Sequence, residues 1–117
     1  MNLPTRGWCY NKLSNNRVGE LNRRKWKIVA AYIVGSVARG TARPDSDLDI
    51  AVVIEMRNGK PPRLSALKET DLYHSNFRSN SQKATWEGRV VDFQFFYADD
   101  PELAGYSKIE LTNSRGN

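Results

Sequence analysis

Two aspartates, Asp47 and Asp49, flank Leu48 at the head of the apolar run Leu48-Asp49-Ile50-Ala51-Val52-Val53-Ile54. Residues two apart on a strand share a face, so Asp47 and Asp49 point one way, with Leu48 and Ile50 opposite. Like charges side by side repel, and leaving them uncompensated beside a core is costly. A hard divalent cation that takes oxygen ligands, magnesium or alternatively manganese, answers that need. Gly35-Ser36, separated from Asp47 by ten residues, closes another apolar run, Ile28 to Val34. A glycine after a strand lets backbone come close to a ligand. Amides opening a short helix at Ser36 are unsatisfied donors at the positive end of its dipole, which favours phosphate. Arg39 lies about one helical turn on and adds a charge-assisted contact, and Gly40 is placed to stop the helix. A phosphate cradle beside a metal-binding carboxylate pair implies chemistry on a nucleoside triphosphate. The plainer alternative is a glycine turn between strands, with Asp45 and Asp47 as polar loop residues and Arg39 bracing the loop through Asp45. It explains the glycine but not two carboxylates on one strand face.

The elements that must position these groups can be read from the apolar pattern. Ile28 to Val34 is a first strand, apolar on both faces and so central in a sheet. Leu48 to Glu55 is a second. Asn58-Gly59 and Pro61-Pro62 mark a break, followed by an expected helix from Arg63 to about Leu72 with Leu64, Leu67 and Leu72 inside. Tyr73 to Ser81 is polar and reads as a loop, with His74 a surface residue. Gln82 to Trp86 reads as a short strand that turns at Glu87-Gly88 into a third strong strand, Arg89 to Tyr97. Period two sets Asp92 with Val90 and Gln94, away from Val91, Phe93 and Phe95. An aspartate amid Val and Phe needs a partner, and an arginine is the structural alternative to a ligand. Residues 1–12 read as irregular, with Pro4 and Gly7 as breakers. A helix is expected from Ser14 or Asn16 to Lys25, with Val18 and Leu21 on its inner side. Asp100-Pro101-Glu102 has the chemistry of a helix start, cut short by Gly105, and 112–117 is a polar tail.

Composition bounds the rest. The 117 residues, 39 % hydrophobic and 26 % charged, suit one globular domain over 1–117. No apolar run approaches the roughly 20 residues that span a membrane, so no membrane role is expected. The first ten residues hold no apolar signal-peptide core. The single cysteine, Cys9, excludes an internal disulfide and fits a reducing cytoplasm. A net charge of +5 suits anionic partners. The basic clusters are not interleaved with aromatics as a single-strand-binding surface would be, so nucleic-acid binding is not expected.

The string Gly-Ser-x-Ala-Arg-Gly from Gly35, then Ser-Asp-x-Asp from Ser46, resembles the signature of the DNA polymerase β-like nucleotidyltransferase superfamily, and within it the minimal nucleotidyltransferases. The resemblance covers roughly Ile28 to Glu55, plus Asp92. It implies an α/β (α+β) fold, a small mixed sheet of three to five strands with helices mainly on one face. It also implies two-metal nucleotidyl transfer: Asp47 and Asp49 holding two Mg²⁺ (or Mn²⁺) ions, Asp92 as third catalytic carboxylate, and Gly35, Ser36 and Arg39 gripping the terminal phosphates. By the same resemblance the donor is ATP or another NTP, and the acceptor a hydroxyl on a protein or small molecule. Antibiotic nucleotidyltransferases resemble this core but add a helical C-terminal domain, whereas here about twenty residues follow the third strand. That argues against antibiotic transfer unless a homodimer mate supplies the missing wall. Minimal nucleotidyltransferases often act as antitoxins beside a small helical toxin. The second reading is therefore an antitoxin-like or regulatory binding subunit with a vestigial site.

Overall fold

The computed structural model describes residues 2–15, 26–59 and 84–112. The elements in chain order are α1 (Arg6–Asn15), β1 (Trp26–Val34), α2 (Gly35–Arg39), β2 (Leu48–Met56), β3 (Thr85–Trp86), β4 (Arg89–Tyr97), α3 (Pro101–Ala104) and β5 (Ile109–Glu110). The strands form one five-stranded mixed sheet in the order β3-β4-β2-β1-β5. β1 is antiparallel to both β2 and β5, β3 is antiparallel to β4, and β2 is parallel to β4. The fold is α+β.

β2 sits at the centre because it is apolar on both faces. Leu48, Ile50, Val52 and Ile54 bury one face against Ala31, Ile33, Val91, Phe93 and Phe95, beneath Cys9 and Leu13 of α1. Ala51 and Val53 bury the other against Val34, Phe96 and Leu103 of α3. Burying a side chain of this size contributes roughly 1.5–3 kcal/mol, so these two half-cores fix the strands. Burial pushes the Cys9 thiol up to about 12, which suits a packing residue and not a nucleophile. In β1 the register shifts between Ile28 and Ala30, and the Val29 carbonyl accepts from Arg6 Nη1 at 2.7 Å.

The amino-terminal segment departs from the expectation. Residues 1–12 read as irregular, yet Arg6–Asn15 is helical. Pro4 lies before the helix and Gly7 in its first turn, where few backbone bonds are yet required. Thr5 supplies the start: its Oγ1 accepts from Trp8 N at 3.1 Å, a side-chain cap at the helix entry. Trp8 then packs edge-on against Trp86, with centroids 5.1 Å apart, and near Phe93. Trp86 Nε1 donates to Asn2 O at 2.8 Å, and Arg6 N to Thr112 O at 2.9 Å. The end of the chain behaves as its residues suggest: Asp100 Oδ1 accepts from Glu102 N at 2.9 Å and caps α3.

The expected helix to Lys25 beyond Asn15, the helix Arg63 to Leu72, the loop Tyr73 to Ser81 with His74, and the tail beyond Thr112 lie outside the described residues. Among the described residues no helix is long and apolar enough to cross a membrane.

The Thr5 cap makes a direct prediction. Thr5→Ala should cost about 1 kcal/mol of stability in urea unfolding, and Thr5→Ser should restore most of it. An unchanged midpoint for Thr5→Ala would show that α1 does not depend on this cap.

Candidate active site

Register brings the carboxylates together. In the parallel pair β2–β4, Asp49 is the partner of Asp92, with Ile50 beside Phe93 and Val52 beside Phe95. Residues paired on adjacent strands point to the same face, so Asp49 and Asp92 stand side by side on the face opposite the larger core. Asp47 precedes β2 and is exposed, one residue beyond the fully buried Leu48. Burial raises the Asp49 pKa above its ordinary value of 3.8; the negative charges of Asp92 and then Asp47 raise it further, and Arg39 pulls it back. Among the described residues, no cation forms an ion pair with Asp47, Asp49 or Asp92; the single ion pair there is Lys27 with Glu55.

The glycine turn sits against this group. β1 is antiparallel to β2 with Val34 opposite Asp49, so Gly35 follows at the same height. A Cβ built on Gly35 would collide with Asp49 Oδ2, and the glycine holds φ +71°, a left-handed conformation that side chains rarely adopt. Both the close approach of Asp49 and the backbone conformation therefore favour glycine at 35. α2 begins here with no side-chain cap on its amides and ends at Gly40, whose φ of 75° closes the turn through bonds to Ser36 O and Val37 O. Thr41 N also donates to Ser36 O at 2.9 Å.

A cleft of about 360 Å³ opens at this end of the sheet, lined by Val34, Gly35, Ser36, Arg39, Asp49, Gln94, Tyr106 and Ser107. Gly35, Ser36, Arg39 and Asp49, all singled out in the sequence, share it. Asp47 and Asp92 are not in its lining; they flank Asp49 from the loop and from the next strand. Among the described residues no three of the His, Cys, Asp and Glu side chains are gathered closely enough to hold a metal ion. Gln94, Tyr106 and Ser107 were not anticipated as site residues. Gln94 has a signal in the sequence, since it shares the strand face of Asp92 two residues away. Tyr106 and Ser107 carry no such signal, because they reach the cleft through the turn after α3. Tyr106 is held there by its hydroxyl, which donates to Glu102 Oε1 at 2.6 Å, and by an edge-on contact with Phe96.

Asp47, Asp49 and Asp92 have acceptor-only oxygens, the donor type a hard divalent cation takes, and Asp49 feels the charge of the other two, but the three are not gathered into a cluster that holds an ion. The chemistry such a set can perform is phosphoryl or nucleotidyl transfer on an anion held at the Gly35–Arg39 turn.

The raised Asp49 pKa carries a stability consequence. Between the ordinary carboxyl pKa and the raised one, the folded chain binds more protons than the unfolded chain, so stability falls as pH rises through that window. Above it, the folded chain carries the cost of a charged, desolvated and repelled Asp49. Asp49→Asn should therefore raise Tm at pH 7, with the gain shrinking as pH falls towards and below the ordinary carboxyl range. A lower Tm for the variant at neutral pH would mean that Asp49 is compensated in the free protein.

Comparison with curated proteins and with solved structures gives no significant match. The family model described as "Nucleotidyltransferase domain" matches residues 16–110. That span takes in the glycine turn, all three carboxylates and every cleft residue, and it covers most of the chain. The chain belongs to the nucleotidyltransferase domain family.

Proposed function

We propose that this chain transfers a nucleoside monophosphate, AMP from ATP, to a hydroxyl of a protein or small-molecule acceptor. The observation that supports it most strongly is the in-register pairing of Asp49 with Asp92 across parallel strands, next to a turn whose backbone conformation and closeness to Asp49 favour glycine. Asp47, Asp49 and Asp92 would hold Mg²⁺ or Mn²⁺, two ions in the full reading. Bound there, the cations would supply Lewis acidity and neutralise charge on the attacking and leaving oxygens.

The chain's own groups do the remainder. The Ser36 amide and the Arg39 guanidinium hold the terminal phosphates, with Gly35 allowing the backbone to approach them. This leaves the α-phosphorus on the carboxylate side. The acceptor oxygen attacks that phosphorus as the bond to the bridging α–β oxygen breaks. Pyrophosphate leaves, and the hydroxyl proton passes to Asp92 as general base. Arg39 is exposed and unencumbered by an ion pair among the described residues, as a phosphate-binding side chain should be.

The spacing of the acidic side chains favours a second reading. Because they are not gathered into a metal-holding cluster, the site would be vestigial and the chain an antitoxin-like or regulatory subunit that binds a small helical toxin-like protein. A homodimer mate is the other partner the active reading accommodates, as a wall for the acceptor.

Incubation with α-labelled ATP, Mg²⁺ and a cell lysate separates the two readings, since only the enzyme deposits label on an acceptor. Asp92→Asn keeps the shape and removes the charge. It should leave ATP affinity within a few-fold while transfer falls by about 10²–10⁴-fold, as for loss of a general base. Transfer unchanged in Asp92→Asn would remove Asp92 from the mechanism. Arg39→Ala should weaken ATP binding by about tenfold, the scale of one hydrogen bond to a charged group. Equal affinity in calorimetry would make Arg39 a structural residue.

A further inference from the structure

Asp47 has no packing of its own. Its side chain is exposed, and among the described residues it makes no hydrogen bond or ion pair. Its direction must then be set by the backbone on either side. On the carboxyl side, fully buried Leu48 anchors it in β2. On the amino side the chain is a loop, and loops need a specific restraint to hold a side chain.

That restraint is Arg89. Its Nη1 donates to Arg43 O at 2.8 Å and to Ser46 O at 3.0 Å. The two carbonyls are the ends of a small turn closed from within: Arg43 N donates to Ser46 Oγ at 2.9 Å, and Ser46 N to Arg43 O at 3.0 Å. One guanidinium nitrogen thus grips both ends of the turn, and the second gripped carbonyl belongs to the peptide that leads into Asp47. Arg89 opens β4, three residues before Asp92. The strand that delivers one carboxylate therefore also holds the loop that delivers another. The guanidinium meets carbonyls and forms no ion pair with the acids, so it restrains the loop without neutralising the site.

We infer that Arg89 is a positioning residue that fixes Asp47 relative to Asp92 for divalent-cation binding. This rests on the nucleotidyl-transfer reading for its purpose, but not for its geometry. A lysine at 89 has the charge but not the planar fork, and satisfies the two carbonyls less well.

The test uses the intact protein and the variants Arg89→Met and Arg89→Lys. Mn²⁺ binding is followed by electron paramagnetic resonance with a non-hydrolysable ATP analogue present. Hydrogen exchange at the Ser46 amide is measured in the free protein, and circular dichroism checks the fold. Removing a positive charge near three carboxylates would by itself tighten cation binding. Positioning predicts the opposite: about tenfold weaker Mn²⁺ binding in Arg89→Met, as for loss of a residue that orients a metal ligand. Arg89→Lys should fall between, and stands in if Arg89→Met does not fold. The Ser46 amide should exchange faster in both. In an Asp47→Asn background, Arg89→Met should cause no further loss, because the restraint acts through Asp47. Unchanged or tighter Mn²⁺ binding, equal losses in both backgrounds, or unchanged Ser46 exchange each overturns the inference. If the unsubstituted protein takes up no Mn²⁺, the transfer reading fails, and Ser46 exchange alone decides the restraint: faster sustains it, unchanged overturns it.

Discussion

The structure depends on a repulsion it does not avoid. Asp49 and Asp92 are register partners on adjacent parallel strands, about 4.8 Å apart in the strand-to-strand direction. Directly opposed like charges destabilise a sheet. The pair persists because the same register sets Ile50 beside Phe93 and Val52 beside Phe95, all buried. A slip of one residue in either strand would separate the acids, but it would also turn Phe93 and Phe95 out of the core. The apolar face therefore dictates the geometry of the charged one.

The glycine turn follows from the same constraint. With Val34 opposite Asp49, the backbone leaving β1 must pass beneath the Asp49 carboxylate. A Cβ there would meet Asp49 Oδ2, so the backbone of the turn and the Asp49 carboxylate are close by construction. The larger half-core under α1 supplies stability, and the opposite face sacrifices some of its own to a cleft and three acids. Proteins break local rules of this kind where they function, and the surrounding packing makes it tolerable.

What the sequence revealed follows the range of each physical signal. β1 and β2 are continuous apolar runs and β4 an alternating one, so all three are legible; β4 keeps its expected bounds, while β1 begins two residues earlier, at Trp26, and β2 ends one later, at Met56. Asp92 was separated correctly from Val91, Phe93 and Phe95 for that reason. α1 is hidden in the sequence because Pro4 and Gly7 read as breakers, while the Thr5 cap that offsets them is one hydroxyl and one amide. β5 was missed because Ile109–Glu110 is two exposed residues whose pairing with β1 is entirely tertiary. Alternation gives a residue's face but not its neighbour strand, so the pairing of Asp49 with Asp92, the grip of Arg89 on the 43–46 turn and the arrival of Tyr106 at the cleft lay beyond it.

The cleft that results is electrically lopsided. Its charged members are Arg39 and Asp49, beside the Gly35–Ser36 backbone; Gln94, Tyr106 and Ser107 are neutral. Charge falls off slowly and acts on any phosphate, whereas neutral hydrogen-bonding groups act only at contact. In the transfer reading, the charged side therefore fixes which end of a nucleotide enters and how it lies, with little regard to its base. Discrimination among bases or acceptors must then come from the neutral wall. Two of its three members reach the cleft on the turn after α3, the capped single turn that begins at Asp100 and Pro101. In that reading, two of the groups that would decide identity lie on a turn apart from β2 and β4, and that turn can vary while the register of β2 and β4 stays fixed.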